Sequence, residues 1–193
     1  MSHTGYHNLP IGVASFAHPA RNVEALGIRP GMKVADFGAG SGAYTFEVAK
    51  LLRATGRVYA IDVQRDLLRR IANEAKRRGY ENVEIIWADL EAPCASKLAE
   101  NSIDLVLISN LLFQVPDKAP VLREARRIVK GTGHVVIIDW IDSFNGIGPI
   151  KDDVVTKEVA LKIAEKSNLS LVREFFAGTH HYGLLFKPIA LKI

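Results

Sequence analysis

The chain has 193 residues, 48% of them hydrophobic, and a formal charge of +4. That length and composition suit one globular domain with its own core and exclude low-complexity and collagen-like chains. A lone cysteine, Cys94, excludes an intrachain disulfide framework, no apolar run reaches the roughly eighteen residues of a membrane span, and the mild basic excess admits an anionic partner without requiring one.

In chain order, the segment to about residue 17 is polar and punctuated by Gly and Pro, without the basic and apolar regions of a secretory signal. The expectation is a flexible arm or lid over 1–18, a cytoplasmic location, and a core over 33–193 of a single domain spanning 1–193. A short helix near 19–26 leads through "RPG" into the first strand, "KVADF" (33–37). Further strands are expected at "RVYAID" (57–62), "VEIIWA" (83–88), "IDLVLIS" (103–109) and "HVVIIDW" (134–140). The early runs are continuously apolar, as in parallel strands covered on both faces. Between them, Leu68, Ile71, Ala72 and Ala75 form one helical stripe closed by Gly79, and Val121, Leu122, Ala125, Ile128 and Val129 another ending at Gly131. A helix at 152–167 precedes two strands, "LSLVREFFAG" and "HHYGLLFKPI", that read as an antiparallel hairpin. The β-α-β-α-β alternation predicts an open α/β sheet with right-handed crossovers. Two basic clusters (Arg65, Arg69, Arg70, Lys76, Arg77, Arg78, and Arg123, Arg126, Arg127, Lys130) fall on helices and read as solvated faces.

The segment "VADFGAGSGAYTFEVAKLL" runs from strand through a glycine cluster into a helix. Gly38, Gly40 and Ala43 fit the dinucleotide fingerprint, but Asp36 stands two residues before the first glycine. A carboxylate there repels a pyrophosphate and holds a cation. Asp62 ends the second strand, where a ribose acceptor sits, and Asp89 ends the third, placed to accept from an adenine amino group. Three acids at three adjacent strand ends suit a cationic nucleoside without phosphates, and S-adenosylmethionine, with its sulfonium and ammonium, is such a ligand. An NAD-dependent oxidoreductase conflicts with Asp36. The same residues have structural alternatives: Asp36 as a strand-end cap, Asp62 as a turn former, Asp89 as the N-cap of the next segment, Asn110 as a turn residue.

From about Lys33 to Trp140 the chain resembles class I S-adenosylmethionine-dependent methyltransferases, particularly the group related to quinone-biosynthesis methyltransferases. "VADFGAGSG" resembles the family's acidic-x-G-x-G-x-G motif, "VYAIDV" its second-strand motif and "WADLEA" its third. The run from "IDLVLISN" to "HVVIIDW" is similar to its fourth strand, helix and fifth strand. The resemblance implies a Rossmann-like, doubly wound seven-stranded sheet ordered 3-2-1-4-5-7-6 with strand 7 antiparallel. It also implies that Gly38, Gly40 and Gly42 form the cofactor turn and that Asp36 faces the methionine part, partly through water. Asp62 then takes the ribose hydroxyls, Asp89 the adenine amino group, Leu90 offers its backbone N–H to the ring, and Asn110 lies beneath the methionine part and the incoming substrate.

The acceptor side is less explicit. "SNLLFQVPD" is not the motif that grips an amino group on a base or glutamine, and Cys94 lacks the setting of a cytosine-C5 nucleophile. An antiparallel strand 7 beside strand 5 brings His180, His181 and Tyr182 near Asp139, Trp140 and Asp142, which makes His180, His181 and Asp139 candidates for a base or substrate contact. Adjacent strand residues face opposite sides, so the two histidines are not expected to share a metal. His18 is a further candidate in the arm, and Phe113 and Trp140 are candidate walls of an apolar acceptor pocket. The reading is a methyltransferase for a small molecule, with two alternatives: an RNA or protein methyltransferase using the basic clusters, and a non-catalytic S-adenosylmethionine-binding partner protein.

Overall fold

The computed structural model describes residues 18–144 and 148–190. Residues 1–17, and with them most of the expected arm, lie outside the described residues. The strands are β1 (Lys33–Phe37), β2 (Arg57–Asp62), β3 (Val83–Trp87), β4 (Ile103–Ser109), β5 (Val129–Trp140), β6 (Leu169–Phe176) and β7 (His181–Pro188). The helices are α1 (Pro19–Ala25), α2 (Ala43–Leu52), α3 (Arg65–Arg78), α4 (Lys118–Ile128) and α5 (Lys157–Lys166). One seven-stranded sheet is ordered β3-β2-β1-β4-β5-β7-β6. The β1–β5 pairings are parallel, and β7 runs antiparallel to both β5 and β6.

Strand alternation sorts the core into two layers. Ala35, Phe37, Val135, Ile137, Tyr182, Leu184 and Phe186 point to the face that packs on α4 and α5. Val34, Val58, Leu105, Val136, Ile138 and Leu185 point to the other, beneath α1 and α2, with α3 packed beyond on Ala60. The stripe Val121, Leu122, Ala125 and Ile128 is fully buried, as the periodicity predicts. Gly79 ends α3 in the left-handed conformation at φ 71°, its N–H capping Lys76.

Three boundaries differ from expectation. The third strand stops at Trp87, so Ala88 lies beyond it. Val129 begins β5 rather than closing α4, and Gly131 caps nothing. The cause is a register shift: Ile103 faces Val129 but Leu105 faces His134. Gly133 is where β5 rejoins β4, and a Cβ there would stand 2.7 Å from the Asp104 carbonyl oxygen. The helix expected from 152 begins at Lys157, because Thr156 adopts an extended conformation and its hydroxyl accepts the Val159 N–H. A short 3₁₀ turn, Lys151–Asp153, precedes it.

The basic clusters are partly paired. Arg77 and Arg78 bond Glu74, Arg69 pairs with Asp66, Arg127 with Glu124 and Lys130 with Asp104. No helix among the described residues is long and apolar enough to cross a membrane.

Gly42 begins α2 at φ 82°, and a Cβ there would stand 2.8 Å from the Phe46 ring and 3.0 Å from Ile71. Gly42→Ala combines left-handed strain with overpacking between α2 and α3. An unfolding free energy lower by about 1–2 kcal/mol in urea titration is the expected result.

Candidate active site

The carboxyl ends of β1, β2, β4 and β5 surround two adjoining cavities. The first, of about 480 Å³, lies on the α1/α2 side and is lined by Pro19, Asp36, Tyr44, Ser109, Asn110, Trp140 and His181 together with the glycine turn. The second, of about 340 Å³, is lined by Asp62, Gln64, Asp89, Leu90, Leu111 and Val115, among others. Gly38, Gly40 and Gln114 line both, so the turn is the saddle between them.

The turn is fixed from below. Gly38 and Ala39 both donate to the Ile61 carbonyl, at 2.8 and 3.0 Å. Gly40 donates to Asp62 Oδ2 at 2.8 Å, and Gln64 N–H donates to Oδ1 at 2.8 Å. Each carboxylate oxygen keeps capacity for a further donor. Both cavity glycines have positive φ, 71° at Gly38 and 54° at Gly40. Their surroundings differ: a Cβ on Gly38 would press into Leu111 at 2.9 Å, while one on Gly40 would meet only the Gly38 carbonyl at 3.8 Å. The Gly40 backbone therefore opens toward space that a ligand can fill. Gly42, the third glycine of the turn, lines neither cavity and packs between Phe46 and Ile71.

Asp36 is buried on β1, and its Oδ2 accepts the Thr45 hydroxyl of α2 at 2.6 Å. Burial pushes its carboxyl up to about 6; the Thr45 hydroxyl pulls it down and nearby Asp62 pushes it up. This is a carboxylate short of a cation. Asn110 follows β4 at φ 53°, and its buried Oδ1 has no hydrogen-bond partner. Gln114 Nε2 donates to the Asn110 carbonyl at 2.6 Å, tying the 3₁₀ turn Leu112–Gln114 to the strand end. Asp89 is exposed and accepts the Glu91 N–H at 3.0 Å, so it closes a turn as well as lining the second cavity. Tyr44, which lines the first cavity, is held from behind: Asn22 of α1 donates to its Oη at 2.8 Å and to the Ala177 carbonyl at 3.0 Å.

The three acceptor-side candidates are sorted by strand parity. Trp140 pairs with His181 and Asp139 with Tyr182, so His181 faces the first cavity while Asp139 turns to the α4 face. Asp139 lines neither cavity. Its Oδ1 accepts the Trp140 N–H at 2.9 Å while its Oδ2 is buried without a hydrogen-bond partner, and burial pushes the carboxyl up to about 7 against the pull of nearby backbone N–H groups and Lys118. His180 sits in the turn before β7, stacked edge-on to Phe144 at 4.3 Å with Nδ1 2.8 Å from the Thr179 hydroxyl, and does not line the cavity. His18 precedes α1 at its N-cap. Thr45, Gln114 and Tyr44 were not expected. Thr45 carries a readable signal, a hydroxyl on the helix that follows the glycine turn; Gln114 carries none.

The donor set fits S-adenosylmethionine: an under-neutralised buried carboxylate and an orphaned amide oxygen in one cavity, and acceptors at two strand ends in the next. Residues 28–174 match the methyltransferase domain family. A demethylmenaquinone methyltransferase of Staphylococcus aureus is 33% identical over 120 residues, covering 62% of this chain and 47% of that protein. A ubiquinone/menaquinone biosynthesis C-methyltransferase of Hahella chejuensis is 29% identical over 126 residues, covering 65% and 49%. The chain thus spans about half the length of the curated relatives it matches. The crystal structure of an S-adenosylmethionine-dependent methyltransferase from Aquifex aeolicus superposes with a TM-score of 0.81 at 24% identity over 90% of both chains, which establishes the shared fold. With the family match running from the residue before the first turn to the penultimate strand, the chain belongs to the methyltransferase domain family and is similar in sequence to methyltransferases of quinone biosynthesis.

Proposed function

We propose that this chain methylates a small-molecule acceptor, using the first cavity for the methionine part of the cofactor and the acceptor and the second for the adenosine. The observation that carries this reading is the pair of cavities joined at Gly38 and Gly40, with Asp36 in one and Asp62 and Asp89 in the other. When bound, S-adenosylmethionine supplies an activated methyl group on a sulfonium. Asp36 neutralises the cationic methionine part, and Asn110 accepts from it. Asp62 accepts from the ribose hydroxyls and Asp89 from the adenine amino group, with the Leu90 N–H on the ring. The protein's work is then positioning: two pre-shaped cavities hold donor and acceptor in line, which is where most of the rate for such a transfer arises. Demethylmenaquinone, the acceptor in the name of the Staphylococcus relative, is the first compound to test, in its reduced form.

Calorimetry is expected to show binding of S-adenosylmethionine and S-adenosylhomocysteine, and negligible binding of NAD, whose pyrophosphate meets Asp36. NAD binding more tightly than either would overturn the reading. Transfer of labelled methyl into reduced demethylmenaquinone, or into a fraction of cell extract, identifies the acceptor; label entering RNA or protein alone would favour a macromolecular substrate.

A further inference from the structure

The end of the first cavity farthest from the adenosine site is formed by the β5–β7 pair, and it holds a polar group without an internal role. His181 is 4% exposed, and neither ring nitrogen has a hydrogen-bond partner. Its ring lies 4.4 Å from that of Trp140, tilted by 43°. The wall is built, not incidental. Antiparallel pairing of Trp140 with His181 fixes both side chains on one face. A Cβ on Gly148 would stand 2.7 Å from the Trp140 ring, so the Gly148 backbone packs closely against that ring. A buried imidazole with both nitrogens idle is costly unless something completes it. The cavity it lines is where a completing group can enter.

The chemistry of that group follows from the surroundings. Burial pushes His181 down to about 4, and His180 pushes it the same way, so the ring is neutral. A neutral imidazole offers one N–H and one lone pair. Among the described residues, no lysine or arginine lines this cavity, and its carboxylate, Asp36, lies on β1, three strands from β7. This end of the cavity is therefore largely aromatic, and its hydrogen-bonding groups without a partner, the His181 ring on β7 and the Ser109 hydroxyl at the end of β4, are neutral.

We propose that His181 is the acceptor-binding residue of this enzyme, and that it selects an uncharged ring bearing a hydroxyl or carbonyl oxygen, placed against Trp140. This rests on the methyltransferase reading above, since strand order puts the donor's methionine part over β1 and β4 and leaves the β5–β7 wall for the acceptor. His180 and Asp139 have no part in the contact: the one faces Phe144 and Thr179, the other the opposite side of the sheet.

His181→Phe keeps an aromatic ring on Trp140 and removes both nitrogens; His181→Gln restores one donor and one acceptor. Calorimetry on the full chain saturated with S-adenosylhomocysteine, with 1,4-dihydroxynaphthalene as probe under anaerobic conditions, tests the assignment. Wild type is expected to bind the probe, His181→Phe to bind it at least tenfold more weakly, and His181→Gln to recover to within about threefold. S-adenosylhomocysteine affinity stays within twofold throughout, which a merely structural role would not guarantee. Naphthalene, lacking the oxygens, is expected to bind wild type and His181→Phe alike. Equal probe affinity in wild type and His181→Phe overturns the proposal, as does a wild type that binds S-adenosylhomocysteine but not the probe. A wild type that fails to bind S-adenosylhomocysteine instead removes the methyltransferase reading beneath it.

Discussion

Replacing Asp62 by alanine is expected to raise the dissociation constant for S-adenosylmethionine at least about 100-fold, roughly 3 kcal/mol, in a chain that stays folded. Two losses combine. In the proposed function the side chain accepts from the ribose hydroxyls, and hydrogen bonds to a charged group contribute about 1.5–3 kcal/mol. The same carboxylate braces the glycine turn through Gly40 N–H and the start of the next segment through Gln64 N–H. Without it the saddle between the cavities loses its fixed height. Folding survives because Asp62 stands at the rim of β2 and not between the packed layers. Asp62→Asn should fall between wild type and Asp62→Ala, since its amide NH₂ must face one of the two backbone N–H donors that the carboxylate accepts. Calorimetry reads the affinity and circular dichroism the fold. An unchanged affinity in folded Asp62→Ala would put the ribose anchor elsewhere.

The parallel strands were legible because each is a short apolar run with a polar residue close to its end: Asp36 stands one residue before the end of β1, Asp62 at the end of β2 and Asn110 just beyond β4. That pattern carries both the sheet and the cofactor side of the site. It gave no warning at β5, because the excursion at 130–133 depends on pairing with β4, which is a long-range event. The acceptor side shows the same division. Alternation says that His180 and His181 cannot face the same way, but it does not say which one faces the cavity. The register Trp140–His181 decides that, and nothing local in the sequence sets it. Asp139 and Asp36 are both acids at the ends of apolar strands, yet one turns toward α4 and the other toward α2. Gln114 shares both cavities only because the 3₁₀ turn folds it back onto the Asn110 carbonyl.

Asp36→Asn is expected to weaken S-adenosylmethionine binding by a further large amount, on the order of 3 kcal/mol at pH 7, the cost of leaving a buried cation without its partner. Its pH dependence separates charge from shape. Burial raises the Asp36 carboxyl from 3.8 to about 6 in the free protein, so it is neutral below that value and ionised above it. In the proposed function the cationic methionine part binds the ionised form. Wild-type affinity should therefore fall as pH drops below about 6, by up to tenfold per unit, and binding near pH 5 to 6 should release a proton. Calorimetry in buffers of different ionisation enthalpy reads that proton directly. The comparison stays below pH 7, since the ligand's own α-amino group titrates near 7.7–8.0. In Asp36→Asn the released proton and the slope should both vanish. The free protein carries the reverse signature. A carboxyl raised on folding holds its proton better in the native state, so its contribution is fully present below pH 3.8 and is lost as pH rises through about 6. Asp36→Asn should accordingly gain on wild type in unfolding free energy from pH 4 to pH 7, by up to about 3 kcal/mol for a shift of roughly two pH units. Taking the difference between the two proteins cancels His181 and Asp139, which titrate in the same window. A variant whose affinity falls with acid just as wild type does would show that Asp36 is not the carboxylate the cofactor meets.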